Sequence, residues 1–439
     1  LRSPEFFLLL RKDLRELFAS RAYWILLILI GPLVGHGFIT AVNSYAEASG
    51  IGGGPAALAQ GLTPIDGILS PTLGAYDLAA TLLFPFVAIR MIAAERESGA
   101  WKLMLQSPAS MAEMLSSKAL ALLIGWAIAW LPGIVAVCFW KSYGGHIYVP
   151  ELLNLLLGHL LRVGISASVA VAAAAIMPGA ANAAIVTLAF TLGTWALDFI
   201  AAGRGGLLQQ LASFTPSAAL RSFEQGQLRL SIALVIFVFT CAGFFIASVW
   251  MNLSLRLRQH LYRSFAIVII LAIVAIPAAK VRAAWDFSED RRNSFPATDE
   301  SALAHIRQLL HISVNLAAED PRLMDLERNI LSKLRRIVPQ VEVDYTSQGR
   351  SGLFESSNHY GEIWYEYNGQ KVMSRSTTEP IVLETIYKLT GVAPPPANSE
   401  SQFAGHPLAV RPVGAPVTFY AAWPIFITLL WWFYFKGSR

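Results

Sequence analysis

Ionisable side chains inside long apolar runs are the first candidates for chemistry in this sequence. His36, Arg90, His159, Arg162 and Asp198 fall in or at the ends of such runs. Charge buried in hydrocarbon is costly, and it marks transport paths, proton relays or internal pairs. His159 and Arg162 sit on neighbouring helical turns. They could face a lipid headgroup or an acidic partner such as Asp198, and these three residues are the transport-path candidates. Arg90 could instead snorkel to the nearer surface, and Asp198 lies near the end of its run, where solvation costs little. Hydrolytic sets are not visible. H-E-x-x-H and G-x-S-x-G do not occur. His146, His305, His311, His359 and His406 stand singly outside the runs, without metal-ligand spacing, and Cys138 and Cys241 lie within apolar stretches. The Gly52-Gly53-Gly54 run lacks the Lys-Ser/Thr that a phosphate-binding loop requires. The chain is therefore expected neither to hydrolyse ATP alone nor to be an enzyme, and no catalytic residue or metal ligand is assigned.

Those residues must be positioned by membrane helices. The 439 residues are 55% hydrophobic and 14% charged, against about 25% charged in soluble domains. A spanning helix needs about 20 mainly apolar residues. Eight stretches qualify: 22–42, 78–94, 119–140, 152–177, 183–202, 230–250, 264–279 and 417–435. Basic residues gather on one side of them: Arg2, Arg11, Lys12, Arg15 and Arg21, then Arg96, Lys102 and Lys118, then Arg256, Arg258 and Arg263, then Lys436 and Arg439. The other side has few, with none in the 43–76 loop, although Lys280 and Arg282 run against the trend. The positive-inside rule then places both termini in the cytoplasm. The net charge of +5 reflects this topology and gives no reason to expect nucleic acid as a partner.

Two cytoplasmic segments carry further signals. Phe6, Phe7, Leu10, Leu14, Leu17 and Phe18 recur at helical spacing among Arg11, Lys12, Arg15 and Glu16. This predicts an amphipathic helix over residues 1–21 lying in the inner interface. It could be a membrane anchor alone, or it could also touch a cytoplasmic partner. After the second span, charge appears abruptly at Glu95-Arg96-Glu97 and Gly99 permits a turn. A short surface helix is expected after Ser107-Pro108, with re-entry at Lys118.

The pattern Glu95-Arg96-Glu97-x-Gly99, with Leu103, Leu105, Pro108 and Lys118, resembles the cytoplasmic loop of type-2 ABC exporter permeases. Phe214-Thr215-Pro216, Arg221-Ser222-Phe223, Gly226 and Leu228, before the sixth span, are similar to the outer segment of permeases of the nitrous-oxide-reductase maturation type. The resemblance covers residues 1 to about 260. It implies a six-helix permease domain over 22–260. Its loop 94–118 would receive the motion of a separate ATPase through Glu95, Arg96, Glu97, Gly99, Leu103, Pro108 and Lys118. Phe214, Pro216, Arg221, Phe223 and Gly226 would form a re-entrant outer segment. The implied partners are a cytoplasmic ABC ATPase dimer, which binds the ATP and Mg, and a second permease chain, identical or related. No cofactor is implied in this chain.

Between the last two spans lies a net acidic stretch, 285–416. Its opening, Trp285-Asp286-Phe287-Ser288-Glu289-Asp290-Arg291-Arg292-Asn293, resembles the start of the outer domain in gliding-motility-type ABC auxiliary subunits. Those have one helix, a large periplasmic domain and a final helix, a layout that spans 261–284 and 417–439 would reproduce around a shortened domain. Strands are expected at 311–316, 341–345, 362–367 and 370–374, with Asn368-Gly369 as a hairpin turn. Helices are expected at 320–338 and 378–389, and the Pro394–Pro396 run with Asn398, Ser399 and Ser401 marks a linker.

The fold class is thus a polytopic α-helical membrane protein: a six-helix ABC type-2 permease core plus two extra transmembrane helices flanking a mixed α/β extracytoplasmic domain. The expected setting is the bilayer of the bacterial cytoplasmic (inner) membrane. The expected function is the permease subunit of an ATP-driven exporter whose outer domain binds cargo or an envelope protein. The alternative is a mechanotransmitter or assembly scaffold that moves no cargo across the membrane.

Overall fold

The computed structural model describes residues 4–49, 63–201, 207–317, 320–346, 359–395, 403 and 405–437. The glycine run at 52–54, Arg204 and most of the linker after Pro395 lie outside the described residues. The chain forms two compact units, the first comprising 1–193, 231–281 and 405–439 and the second 194–230 and 282–404.

The first unit opens with α1 (Pro4–Ala19) and α2 (Arg21–Ala48). A third helix, α3 (Ile65–Glu97), contains π-helical turns at Ile65–Leu69 and Ala79–Leu83. Pro85 has no N–H to offer the carbonyl four residues earlier, which favours the wider turn just before it. After α3 come a short α4 (Ala100–Met104), then α5 (Met111–Ser142), α6 (Val149–Ile176) and α7 (Ala180–Ala201). Two further long helices, α10 (Leu230–Trp250) and α11 (Leu257–Ala279), precede the second unit's larger segment, and α15 (Ala415–Lys436) follows it. Among the described residues, eight helices are long and apolar enough to cross a membrane.

Each expected span corresponds to one of these helices, and most of the helices, though not α10, begin or end beyond the apolar run. α2 continues past Asn43 to Ala48 and α3 begins at Ile65, so both described ends of the 43–76 stretch, 43–48 and 65–76, are helical. Apolar run length records the hydrocarbon core, whereas a helix continues until its backbone is capped. The surface helix is also displaced. Gly99 adopts φ 74° and starts α4 before Ser107-Pro108. α5 then begins at Met111, because Ser110 and Glu113 form a reciprocal capping box that Ser107-Pro108 cannot match.

α15 docks on α2 through small residues. A Cβ on Gly31 would collide with the Trp423 indole, and one on Gly35 with the Phe419 side chain. The Trp423 indole N–H donates to the Leu27 carbonyl at 2.7 Å. This Gly-x-x-x-Gly spacing lets a bulky helix approach a bare backbone, which is how helices associate where apolar burial alone gives no preference. In contrast, α11 buries none of its residues.

The second unit holds α8 (Leu207–Ala212), α9 (Pro216–Glu224), β1 (Gln227–Arg229), β2 (Ala284–Asp286) and α12 (Ala297–Leu303). There follow β3 (Leu310–Val314), α13 (321–337), β4 (Val341–Tyr345), β5 (Ile363–Tyr367), β6 (Gln370–Ser374) and α14 (Glu379–Thr390). The four-stranded sheet has the order β4-β3-β5-β6, with β3 parallel to β4 and antiparallel to β5. Leu310, Ile312, Val314, Ile363 and Tyr365 alternate into a core shared with Leu326, Ile330, Leu334 and Ile386. Asn368 and Gly369, both at positive φ, make the β5–β6 turn.

Candidate functional site

The charges around the 94–118 loop converge on a closed cluster. Lys118 donates to Asp13 Oδ1 at 2.9 Å and to Glu95 Oε1 at 2.6 Å. Ser117 donates to Asp13 Oδ2 at 2.5 Å. Lys12 also donates to Glu95, with its Nζ 3.3 Å from the Met104 sulfur. The side chains of Asp13, Lys118 and Glu95 are 0%, 1% and 3% exposed, so they hold elements together and cannot themselves form a partner's docking surface.

Local folding explains the convergence. Along α1 the buried positions are Phe6, Asp13 and Leu17, followed by Ser20 just beyond the helix, so an acid sits in the apolar stripe. Leu17 packs against Gly125 of α5, whose carbonyl accepts from the Tyr23 hydroxyl at 2.9 Å. Phe7 and Leu8 remain exposed. Hence α1 is more than an interfacial anchor: it is packed on α5 and bonded to the ends of α3 and α5. Burial alone would pull the Lys12 ammonium down. The Glu95 hydrogen bond and the charges of Glu95, Asp13 and Glu16 outweigh it and raise Lys12 above its usual value. Burial and the nearby Glu95 charge raise the Glu16 carboxyl.

The other loop residues divide between clamps and surface. Arg96 donates to the carbonyls of Ala174, Ala175 and Met177 at 2.5, 2.8 and 3.1 Å, capping the C-terminus of α6 with a cation. The buried Trp101 donates its indole N–H to the Met251 carbonyl, just past α10, at 2.9 Å. Gly99 supplies the left-handed turn. Glu97, Lys102, Leu103 and Pro108 are exposed, Leu103 at 70%.

A second cluster lies between α3 and α6. Arg162 Nε donates to Asp77 Oδ1 at 2.6 Å and Nη2 to the Thr81 hydroxyl at 2.7 Å, with Ser166 Oγ 3.4 Å from Nη1. Asp77 and Thr81 flank the start of the second π-helical turn. His159 is buried beside the Trp130 ring, which stacks on Tyr76 at 4.2 Å. Among the described residues its Nε2 has no hydrogen-bond partner. The acid that meets Arg162 is thus Asp77, not Asp198. His36 is exposed and lies 3.3 Å from the Tyr420 hydroxyl. Arg90 lines a cavity of about 570 Å³ with Glu16, Arg21 and Met91.

On the last turns of α7, which belong to the second unit, Asp198 accepts from Arg221 at 2.6 and 2.7 Å. Pro216 opens α9, Phe214 is half-buried, and Phe223 is buried. Gly226, at φ 80°, lies so close to Ser288 that a side chain would not fit, and its carbonyl accepts from the Phe287 N–H at 2.8 Å. β1 pairs with β2, and Asn293 donates to the Gln225 carbonyl at 2.7 Å. Asp286 organises this junction by accepting from Ser288, Asn293 and Ser294. Burial alone would raise its carboxyl, but hydrogen bonds from Ser288, Ser294 and Asn293 hold it below the ordinary range. The segment 214–226 and the opening of the 285–416 stretch therefore fold against each other.

Sequence reasoning missed Lys12, Asp13, Ser117, Asp77, Thr81 and Trp101. Asp13 was discoverable as an acid in phase with Phe6 and Leu17. Asp77 stood just outside the apolar run and gave no such signal. Ser117 and Asp13 are the one hydroxyl–carboxylate pair of the first cluster, and both clusters are held by ion pairs.

Residues 7–225 match the model of a family described as ABC-2 family transporter protein. No curated protein and no solved structure matches the chain.

Proposed function

We propose that this chain, a transmembrane permease component of an ABC transporter of the ABC-2 type, takes up the motion of its ATPase subunit through a joint made of α1 and residues 94–118. The observation that carries this is the buried Asp13–Lys118–Glu95 cluster. It makes one body of α1, the end of α3 and the start of α5. Arg96 extends that body to α6, and Trp101 extends it to the end of α10. A push on the exposed Glu97–Pro108 surface would therefore reach five helices together, as rigid-body switching requires. The ATPase dimer would bind ATP and Mg. The joint would face the cytoplasm of a bacterium, with the permease in its inner membrane and residues 285–416 outside.

In this reading the chain is an exporter permease. His159 and Arg162 mark the path between α3 and α6, helices that the joint moves together. Asp198, paired with Arg221, is not needed for that path. A second permease chain would cover the largely exposed flanks of α7 and α11. The segment 285–416 would bind cargo or an envelope protein. The test is Glu97→Lys combined with Leu103→Glu in the reconstituted ATPase–permease complex. ATP hydrolysis should lose its stimulation by the permease while the complex still folds. Unchanged stimulation would sink the assignment of the joint.

A mechanotransmitter is the second reading. The docking of α15 on Gly31 and Gly35 of α2 favours it, because motion of α2 would be carried directly to the chain leaving the α/β unit. Substrate accumulation in vesicles would support export. ATP-dependent binding of an envelope protein without accumulation would support transmission.

A further inference from the structure

Two histidines that stand alone in the sequence are held ring to ring in the first unit. His146 lies in the turn after α5, and His406 lies in the segment leading to α15. Their imidazoles stack at 4.0 Å between centroids, with 20° between planes. This contact rests on a buried aromatic pair. The Trp140 indole N–H donates to the His146 carbonyl at 2.8 Å, and the Tyr45 hydroxyl donates to the His406 carbonyl at 2.7 Å. Tyr45 and Trp140 meet edge to face at 5.8 Å, and both are buried. One aromatic contact therefore fixes both backbones. Two further features tighten the frame. A Cβ on Gly145 would collide with the Trp140 ring, so only glycine lets the turn close there. The Leu408 N–H donates to Ser49 Oγ at 3.1 Å, securing the second segment.

We infer that His146 and His406 form a binding site for a divalent transition-metal ion of the zinc class. The ring nitrogens lie within 4.8 Å of one another. Two nitrogens bound to one zinc ion are at most about 4.2 Å apart, because each Zn–N bond is about 2.0–2.1 Å. To bind one ion the rings must turn out of their stack, so that the two in-plane lone pairs converge. Neutral imidazole suits zinc, copper and nickel, and disfavours magnesium and calcium, which take oxygen ligands. His146 is exposed and His406 half-buried, so an ion can reach the pair from the His146 side and water can complete its coordination. The bound ion would staple the α5–α6 turn to the segment before α15. This goes beyond the coupling role proposed above and does not depend on it.

The test uses the full-length protein in detergent, free of any histidine tag. Zn2+ alone is titrated in competition with a chromophoric chelator. One high-affinity equivalent is expected per chain. His146→Ala and His406→Ala should each weaken it by at least about tenfold, the loss that even an outer-shell partner can cause. The double variant should be little worse than either single one, because the site fails when one ligand is gone. Unchanged affinity in either single variant overturns the proposal. A second readout needs no variant: the wild-type protein loaded with one Cu2+ should show magnetic coupling to two imidazole nitrogens. Coupling to one or to none overturns the proposal.

Discussion

The two buried ionic clusters of the first unit are built differently. Around Lys118, three carboxylates and two ammoniums meet from three helices, and the Lys118, Asp13 and Glu95 side chains at its centre are almost wholly excluded from solvent, while Lys12 and Glu16 at its edge reach it. Around Arg162, one guanidinium bridges two helices, and its acid, Asp77, is 36% exposed. The first cluster has little freedom to exchange partners without stranding a charge. The second already opens on one side, so its acid can trade the arginine for water or another cation. A closed network transmits position, whereas an open one can respond to a passing group.

The largest expected effect tests the closed cluster. Lys118→Met removes the cation shared by Asp13 and Glu95 and leaves buried carboxylates in excess. Breaking a buried pair on one side costs about 3–5 kcal/mol. Thermal unfolding in detergent should show that loss, and adding Asp13→Leu should recover part of it. A single variant as stable as the parent would mean that the cluster is not a joint. Arg162→Met should cost less, about 1–3 kcal/mol, because the Asp77 left behind can take up water. It should also change transport more than Lys118→Met does at matched folded protein. Equal stability losses in the two variants would erase the distinction drawn between the clusters.

The parts of this architecture that local pattern encodes were legible. Eight apolar runs correspond to eight long helices. β4 and β6 fall at the expected 341–345 and 370–374, and Asn368-Gly369 forms the hairpin turn. Helix ends were less legible, because capping rather than hydropathy sets them, as Ser110 and Glu113 show at α5. Pairings were least legible. Glu95 and Lys118 were singled out, but their meeting with Asp13 depends on how α1 rolls onto α5. Arg162 chooses Asp77 because α3 starts earlier than its apolar run. His146 and His406 have no spacing signal at all, since separate elements bring them together. Residue type and period describe one element at a time, whereas these contacts belong to the packing between elements.

The second unit offers a counterpart whose acid is buried but whose cation reaches solvent. Asp320 caps α13, accepting from the Arg322 N–H at 2.9 Å, from the Arg322 guanidinium at 2.7 Å and from the Tyr360 hydroxyl at 2.8 Å. Hydrogen bonding from Arg322 and Tyr360 outweighs the opposing effect of burial and holds its carboxyl at about 2. A carboxyl depressed in the folded state stabilises fully above its unfolded value near 4, and that stability is lost as pH falls toward 2. With Arg322 half-exposed, the contribution is of order 1 kcal/mol. Limited proteolysis of the α/β unit within the full chain should accelerate across that window. Asp320→Asn should flatten the response, and an unaltered acid profile in the variant would remove Asp320 from the account.

The smallest stability effect belongs to the residue that should separate transmission from packing most cleanly. Arg96 lies at the surface and makes no contact with the closed cluster's carboxylates among the hydrogen bonds described. Its guanidinium instead reaches three carbonyls at the end of α6. A cation at a helix C-terminus is worth about 0.3–1 kcal/mol, so Arg96→Gln should barely move the unfolding midpoint. It does, however, cut the link between the loop and the helix that carries His159 and Arg162. If the loop drives α6 through that link, ATP hydrolysis stimulated by the permease should persist while transport falls by about tenfold, the equivalent of about 1.4 kcal/mol in coupling. Lys118→Met, by comparison, should lower both activities together even at matched folded protein, because it breaks the joint itself. An Arg96→Gln variant that transports normally would show that α6 follows the loop through the packed helices alone, leaving the closed cluster and the Trp101 link to α10 to carry the motion.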